Sequence, residues 1–200
     1  MAGHLFSGLR LHLLFGFAMG CQPAEEIDAD TGETFHVEHT DTGSDIADLD
    51  SSLLPAAESP CREPELFQVK RIVDGDTVVV LGGWGEENVR LIGIDANEIG
   101  YDGEQSECWA EEAKEFLEQE LVDTKVWLSF DVECEDDYER TLAYVHTGIS
   151  SQDFVQRVLL QGGYVSTFTV EPNSTFSETF LSDEGQAMKG EVGMWGACQR

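Results

Sequence analysis

Lysine and arginine are scarce. The 200-residue chain has 11 of them against 40 Asp and Glu, giving a formal net charge of −29. That balance excludes the broad basic face by which most nucleic-acid binders hold a polyanion. Histidine is scarce too: of five, His4, His12, His36 and His39 precede residue 60, leaving His146 as the single one beyond it. A histidine-centred catalytic site is therefore a poor fit. No two cysteines form a close CxxC pair, which argues against a zinc site. The apolar run Leu11 to Met19 is broken by His12 and is too short to span a bilayer, which needs about 20 apolar residues. There is no internal repeat.

Residues 1–20 read as an export signal: His4 and Arg10 give a weakly basic start, and the short apolar run follows. Ala18-Met19-Gly20-Cys21 is similar to a bacterial lipoprotein cleavage box, with Ala18 where Leu is usual. Cys21 is accordingly expected to carry lipid and to hold the exported chain at a membrane, Gln22 favouring the outer one; the alternative is an ordinary secretory signal, which would leave the protein secreted or periplasmic. Residues 22–60 contain eleven Asp or Glu and no Lys or Arg. Such a stretch buries too little apolar surface to offset its ordering entropy, and its charges repel. A solvated acidic tether is expected over 21–62, ahead of a domain at 63–200.

That domain is organised around Asp74-Gly75-Asp76-Thr77 and Arg90-Leu91-Ile92-Gly93-Ile94-Asp95-Ala96-Asn97-Glu98. The first piece reads as a tight turn between strands. In the second, Asp95 and Glu98 lie just past a strand end. Carboxylates placed where two strands finish can converge on a hard cation such as calcium. An arginine beside them suits a phosphate, because its planar fork binds two oxygens at once. A third piece, Asp136-Asp137-Tyr138-Glu139-Arg140-Thr141-Leu142-Ala143-Tyr144, adds a second arginine at a strand start. Cation, phosphate clamp and spare carboxylate together point to phosphodiester hydrolysis.

Alternation and turn residues predict strands over 66–73, 77–81, 88–94, 125–132 and 140–146. Helices are expected over 109–121, over 152–161 after Ser150-x-x-Asp153, and from Thr175-x-x-Glu178 to about Met188. Five short strands with three helices fit an α+β fold, mainly β, built on an OB-type barrel. With Cys21 lipidated, Cys61, Cys108, Cys134 and Cys198 remain for disulfides in an exported protein, with three connectivities open. Cys61 with Cys198, tying the domain ends together, and Cys108 with Cys134 are expected.

The order and spacing of these pieces, with Gln186-Ala187 and Trp195 near the C-terminus, resemble the staphylococcal-nuclease-like (thermonuclease) family over about residues 66–196. The resemblance implies an OB-fold barrel and a calcium-dependent phosphodiesterase, here expected as a monomer, with DNA and RNA as substrates. It assigns Asp76, Asp95 and the Ala96 carbonyl to calcium, and Glu98 to activation of the attacking water. Arg90 and Arg140 would take the scissile phosphate, Asp74 and Thr77 would support the ligand turn, and Tyr138 and Phe168 would meet the nucleotide. The chain departs from the family at Ala96-Asn97, where Thr-Pro is usual. It departs also at Glu139, where Gly is usual, and at Phe168 and Val170, where tyrosines are usual. The proline's absence implies a less stiff approach to Glu98. Glu139 would set a negative charge beside Arg140, and Phe168 can stack but not hydrogen-bond. Two competing readings are a barrel that binds nucleic acid without cutting it and an acidic calcium-binding surface protein. The first would be expected to lack Glu98 or an arginine. The second lacks the loop spacing of known calcium motifs.

Overall fold

The computed structural model describes residues 46–83 and 85–198. The export signal, Cys21, the first part of the acidic segment and Trp84 lie outside the described residues. Five strands close into a barrel in the order β1-β2-β3-β6-β5: β1 (Glu65–Ile72), β2 (Thr77–Gly82), β3 (Gly85–Leu91), β5 (Lys125–Ser129) and β6 (Thr141–His146). All neighbours are antiparallel except β3 with β6. Alternation decides which residues face the interior. Phe67 and Val69 are buried on β1, and a register shift between Val69 and Arg71 moves the buried position to Ile72. An extra residue in one strand does this, because side chains change face at every step. Val80, Val89, Leu91, Leu128, Ala143 and Val145 fill the same core.

The third predicted strand does not run on to Ile94. It ends at Leu91, and Gly93–Asp95 forms a separate short strand, β4, paired with β7 (Ser166–Phe168) in a two-stranded sheet. Gly93 makes the break, with φ +84°; a Cβ there would lie 2.5 Å from the Phe180 ring. Only glycine takes that conformation and that approach cheaply. The chain thus leaves the barrel between Arg90 and Asp95, and the ribbon sets Asp95 opposite Ser166.

Three helices stand where expected: α1 (Ala110–Leu121), α2 (Val155–Gln161) and α3 (Ser177–Lys189). A fourth, α4 (Met194–Ala197), is one turn long. Helix α1 buries Ala110, Ala113, Leu117 and Leu121, one stripe at helical spacing. Helix α2 starts later than the Ser150 signal implied. Asp153 accepts from Ser150 N at 2.9 Å, so the pair closes a turn ahead of the helix. Thr175 likewise does not cap α3; its N–H and hydroxyl donate to buried Asp131. Asp183 of α3, itself buried, joins Arg157 of α2 at 2.7 Å.

Two features correct the sequence reading. The segment from Ile46, assigned to the tether by its acidity, is packed on the barrel. Trp127 Nε1 donates to Ile46 O at 2.8 Å, Ser129 Oγ donates to Pro55 O, and Cys61 N donates to Asp131 O at 2.8 Å. Leu54 is buried there. The cysteines pair as Cys61–Cys134 and Cys108–Cys198, each with Cα atoms 5.8 Å apart. The two ends of the domain are therefore not tied to each other. The N-terminal strap ends beside the chain leaving β5, which brings Cys61 to Cys134. The C-terminal turn ends beside the start of α1, which brings Cys198 to Cys108.

Candidate active site

The turn between β1 and β2 is built by its own side chains. Val73 N donates to Thr77 O at 2.9 Å, and Asp74 Oδ1 accepts from Asp76 N at 3.1 Å. Gly75 is required for a steric reason. A Cβ there would lie 2.6 Å from the Ala96 Cβ and 2.8 Å from the Ala113 Cβ, and neither methyl can rotate away. The turn is thus pressed against both the chain after β4 and helix α1. Asp76 emerges from it nearly buried, and each carboxylate oxygen has a partner. Thr77 Oγ1 donates to Oδ1 at 3.0 Å, and Ala96 N donates to Oδ2 at 2.9 Å. Burial pushes the Asp76 carboxyl up to about 6, against the pull of Arg90 and the Ala96 N–H.

Arg90 faces Thr77 across β2 and β3. Its Nη1 donates to Leu91 O at 2.6 Å, and its Nη2 lies 3.1 Å from Asp76 Oδ2 and 3.0 Å from Asp95 Oδ1. One guanidinium nitrogen therefore gathers carboxylates from the β1–β2 turn and from the end of β4. Arg140 precedes β6 and is held by Asp136: Nε to Oδ2 at 2.8 Å and Nη2 to Oδ2 at 2.7 Å. Burial works to raise Asp136, but the Arg140 N–H and guanidinium and the Tyr138 N–H outweigh it and hold it below the usual carboxylate range.

A cleft of about 530 Å³ opens between these groups. Asp74, Asp76, Thr77, Arg90, Asp95, Glu98, Arg140 and Phe168 all line it. Tyr138 lines a neighbouring hollow with Val73, Asp74, Thr77 and Arg140; it is 81 % exposed, with the Arg140 guanidinium 5.4 Å from its ring centre. At that exposure Tyr138 is not part of the barrel packing. Glu139 is not among the cleft-lining residues. Its backbone has φ +61°, which explains why glycine suits the position. The negative charge beside Arg140 is that of Asp136 instead.

Sequence reasoning missed the rest of the rim. Glu133, Glu135, Asp137, Glu171 and Asn173 also line the cleft, so it holds far more acid than base. Of these only Asp137 lies in a stretch singled out by the sequence, and without a role; all come from two irregular segments joined by Asn173, which accepts from Glu133 N at 2.9 Å.

The donors fit a hard cation in chemistry. Asp76 and Asp95 offer carboxylate oxygens that both lie against Arg90 Nη2, and the Ala96 carbonyl is adjacent in sequence, although Ala96 is not among the cleft-lining residues; hard oxygen donors of this kind suit such a cation. Among the described residues no group of three or more His, Cys, Asp or Glu is gathered to hold a metal with side chains alone.

Comparison with known proteins gives one consistent result. The family described as Staphylococcal nuclease homologue matches residues 88–197. The chain is 30 % identical over 131 residues to the thermonuclease of Staphylococcus hyicus, covering 66 % of this chain and 76 % of that protein. The thermonuclease of Staphylococcus intermedius matches with the same identity and coverage. Endonuclease YncB of Bacillus subtilis is 31 % identical over 128 residues, covering 62 % of this chain and 59 % of its own.

Proposed function

The chain belongs to the staphylococcal nuclease family, and on that premise we propose that it is a calcium-dependent phosphodiesterase that cleaves DNA and RNA outside the cytoplasm. The observation that carries this reading is that Asp76, Asp95, Arg90, Arg140 and Glu98, from three separate stretches of chain, line one cleft. A module that merely binds, or an acidic calcium-storing surface, would not need two arginines and a spare carboxylate there.

Asp76, Asp95 and the Ala96 carbonyl would hold the calcium. When bound, the ion supplies positive charge against the negative charge that grows on the phosphoryl oxygens. Arg90 and Arg140 bind non-bridging oxygens of the scissile phosphate, and their fixed guanidinium groups favour the more charged transition state. The phosphate takes the place of carboxylate partners the arginines already have, Asp95 for Arg90 and Asp136 for Arg140. Glu98 accepts a proton from the attacking water as the water oxygen bonds to phosphorus, one phosphorus–oxygen ester bond breaks, and the departing oxygen takes a proton from solvent. Among the described residues the Glu98 carboxylate has no hydrogen-bond partner, so it is available for this. Thr77 and Asp74 keep Asp76 and its turn in place. Tyr138 and Phe168, both well exposed, offer ring faces to the nucleotide bases.

The two disulfides support an oxidising compartment, and lipid on Cys21 belongs to the same reading. Mass spectrometry of the membrane-extracted protein checks it: the N-terminal peptide should start at a diacylated Cys21. The activity is tested by incubating the purified chain with DNA and with RNA, chelating divalent ions, then restoring calcium. Cleavage should stop and return. Cleavage that continues under full chelation contradicts the proposal.

A further inference from the structure

The loop that carries Glu98 leaves β4 after Asp95 and rejoins regular structure at α1. It is fastened at its neck. Glu98 N donates to Glu107 Oε2 at 3.0 Å, and Glu107 N donates back to Glu98 O at 2.9 Å. Asn97 Nδ2 donates to the Cys108 carbonyl. Just before the neck, Ala96 N is held on Asp76 Oδ2. Just after it, Cys108 is bonded to Cys198 at the far end of the chain. The backbone of Glu98 is thus fixed on both sides, while its carboxylate is left to the cleft. Beyond the neck, Tyr101 to Gln105 are exposed.

From this we propose that Asn97 and Glu107 are positioning residues for Glu98, with the Cys108–Cys198 disulfide as their covalent anchor. The inference rests on Glu98 being the group that activates water. It supplies what Asn97 otherwise leaves unexplained: a chain without a stiffening proline at that position holds the same backbone by a side-chain hydrogen bond across the loop. Glu107 works in the same way from nine residues on, and its carboxylate, turned to the Glu98 N–H, acts through Glu98.

A base displaced by about 1 Å can lose on the order of 100-fold in rate. Steady-state cleavage of DNA under non-reducing conditions should therefore show kcat reduced about 10- to 100-fold in Asn97→Ala and in Glu107→Ala, with KM unchanged. Glu107→Gln keeps a side-chain oxygen for the Glu98 N–H and should recover most of the rate. In a Glu98→Gln background the alanine substitutions should cost nothing further, because there is no base left to misplace. Should an alanine variant fail to fold, Asn97→Asp removes the donor at the same volume and takes its place in the series. Wild-type kcat in the neck variants overturns the proposal. So does a loss that persists in full in the Glu98→Gln background, which would mean a structural role only. If Glu98→Gln itself cleaves at the wild-type rate, the assignment of Glu98 is what fails, and the positioning role falls with it.

Discussion

Arg90 and Asp76 form an ion pair at 3.1 Å between two largely buried side chains, and the same nitrogen of Arg90 reaches Asp95 at 3.0 Å. Arginine and carboxylates therefore brace one another before any phosphate arrives. On the proposed function, the planar guanidinium rather than its charge alone is what would hold the phosphate. A lysine keeps the charge but not the fork. Arg90→Lys and Arg140→Lys should each fold and each lose about 100- to 1,000-fold in kcat. Near-wild-type turnover in either variant would show that the charge alone suffices.

The domain's acidity makes a prediction about salt. Residues 61–200 carry 29 acidic and 10 basic side chains, an excess of 19 negative charges. Repulsion should slow the approach of a polyanion, and salt screens it, the Debye length falling from about 10 Å at 0.1 M to about 3 Å at 1 M. At saturating calcium, cleavage is expected to hold or rise from low salt into the hundreds of millimolar. A rate that falls steeply and monotonically from the lowest salt would refute this.

His146 gives a pH prediction about stability. It is wholly buried, with Nε2 2.7 Å from Ser129 Oγ. Burial lowers it from its ordinary value to about 3, against the raising effects of the Pro55 carbonyl and the Asp153 charge. The unfolded chain takes up a proton near pH 6.5, while the folded chain refuses it until about pH 3. Stability from this group is complete above pH 6.5 and declines toward pH 3, by at most about 1.4 kcal/mol per pH unit. Denaturant unfolding between pH 7 and 5 should show a shallower decline for His146→Gln than for wild type. Identical slopes would mean that His146 titrates alike in both states.

Much of the fold was legible because its signals are local. Val78 and Val80, two apart on β2, both enter the barrel core, although Val79 between them is buried as well, and Ala113, Leu117 and Leu121 recur at helical spacing. Where the outcome depended on contacts far apart in sequence, local signals were silent or misleading. The break at Gly93 follows from the distant Phe180 ring. The packing of the acidic Ile46–Leu54 stretch follows from Trp127 and a barrel edge. The disulfide pairing follows from where the chain ends emerge, which four cysteines alone do not specify. The site shows the same division. Its aspartates, Glu98 and its arginines carry a recognisable order, whereas Glu107 and the acidic rim do not. Asn97 was visible as a departure, but its partner, Cys108, was not.

The whole account turns on Glu98 working beside Asp76, Asp95, Arg90 and Arg140. The most direct measurement is the rate of DNA cleavage by wild type and Glu98→Gln, side by side in calcium, with folding checked by the thermal transition. A base of this kind is worth about 100- to 10,000-fold, so Glu98→Gln should lose activity by that factor while keeping its transition. Equal rates for the two proteins would contradict it.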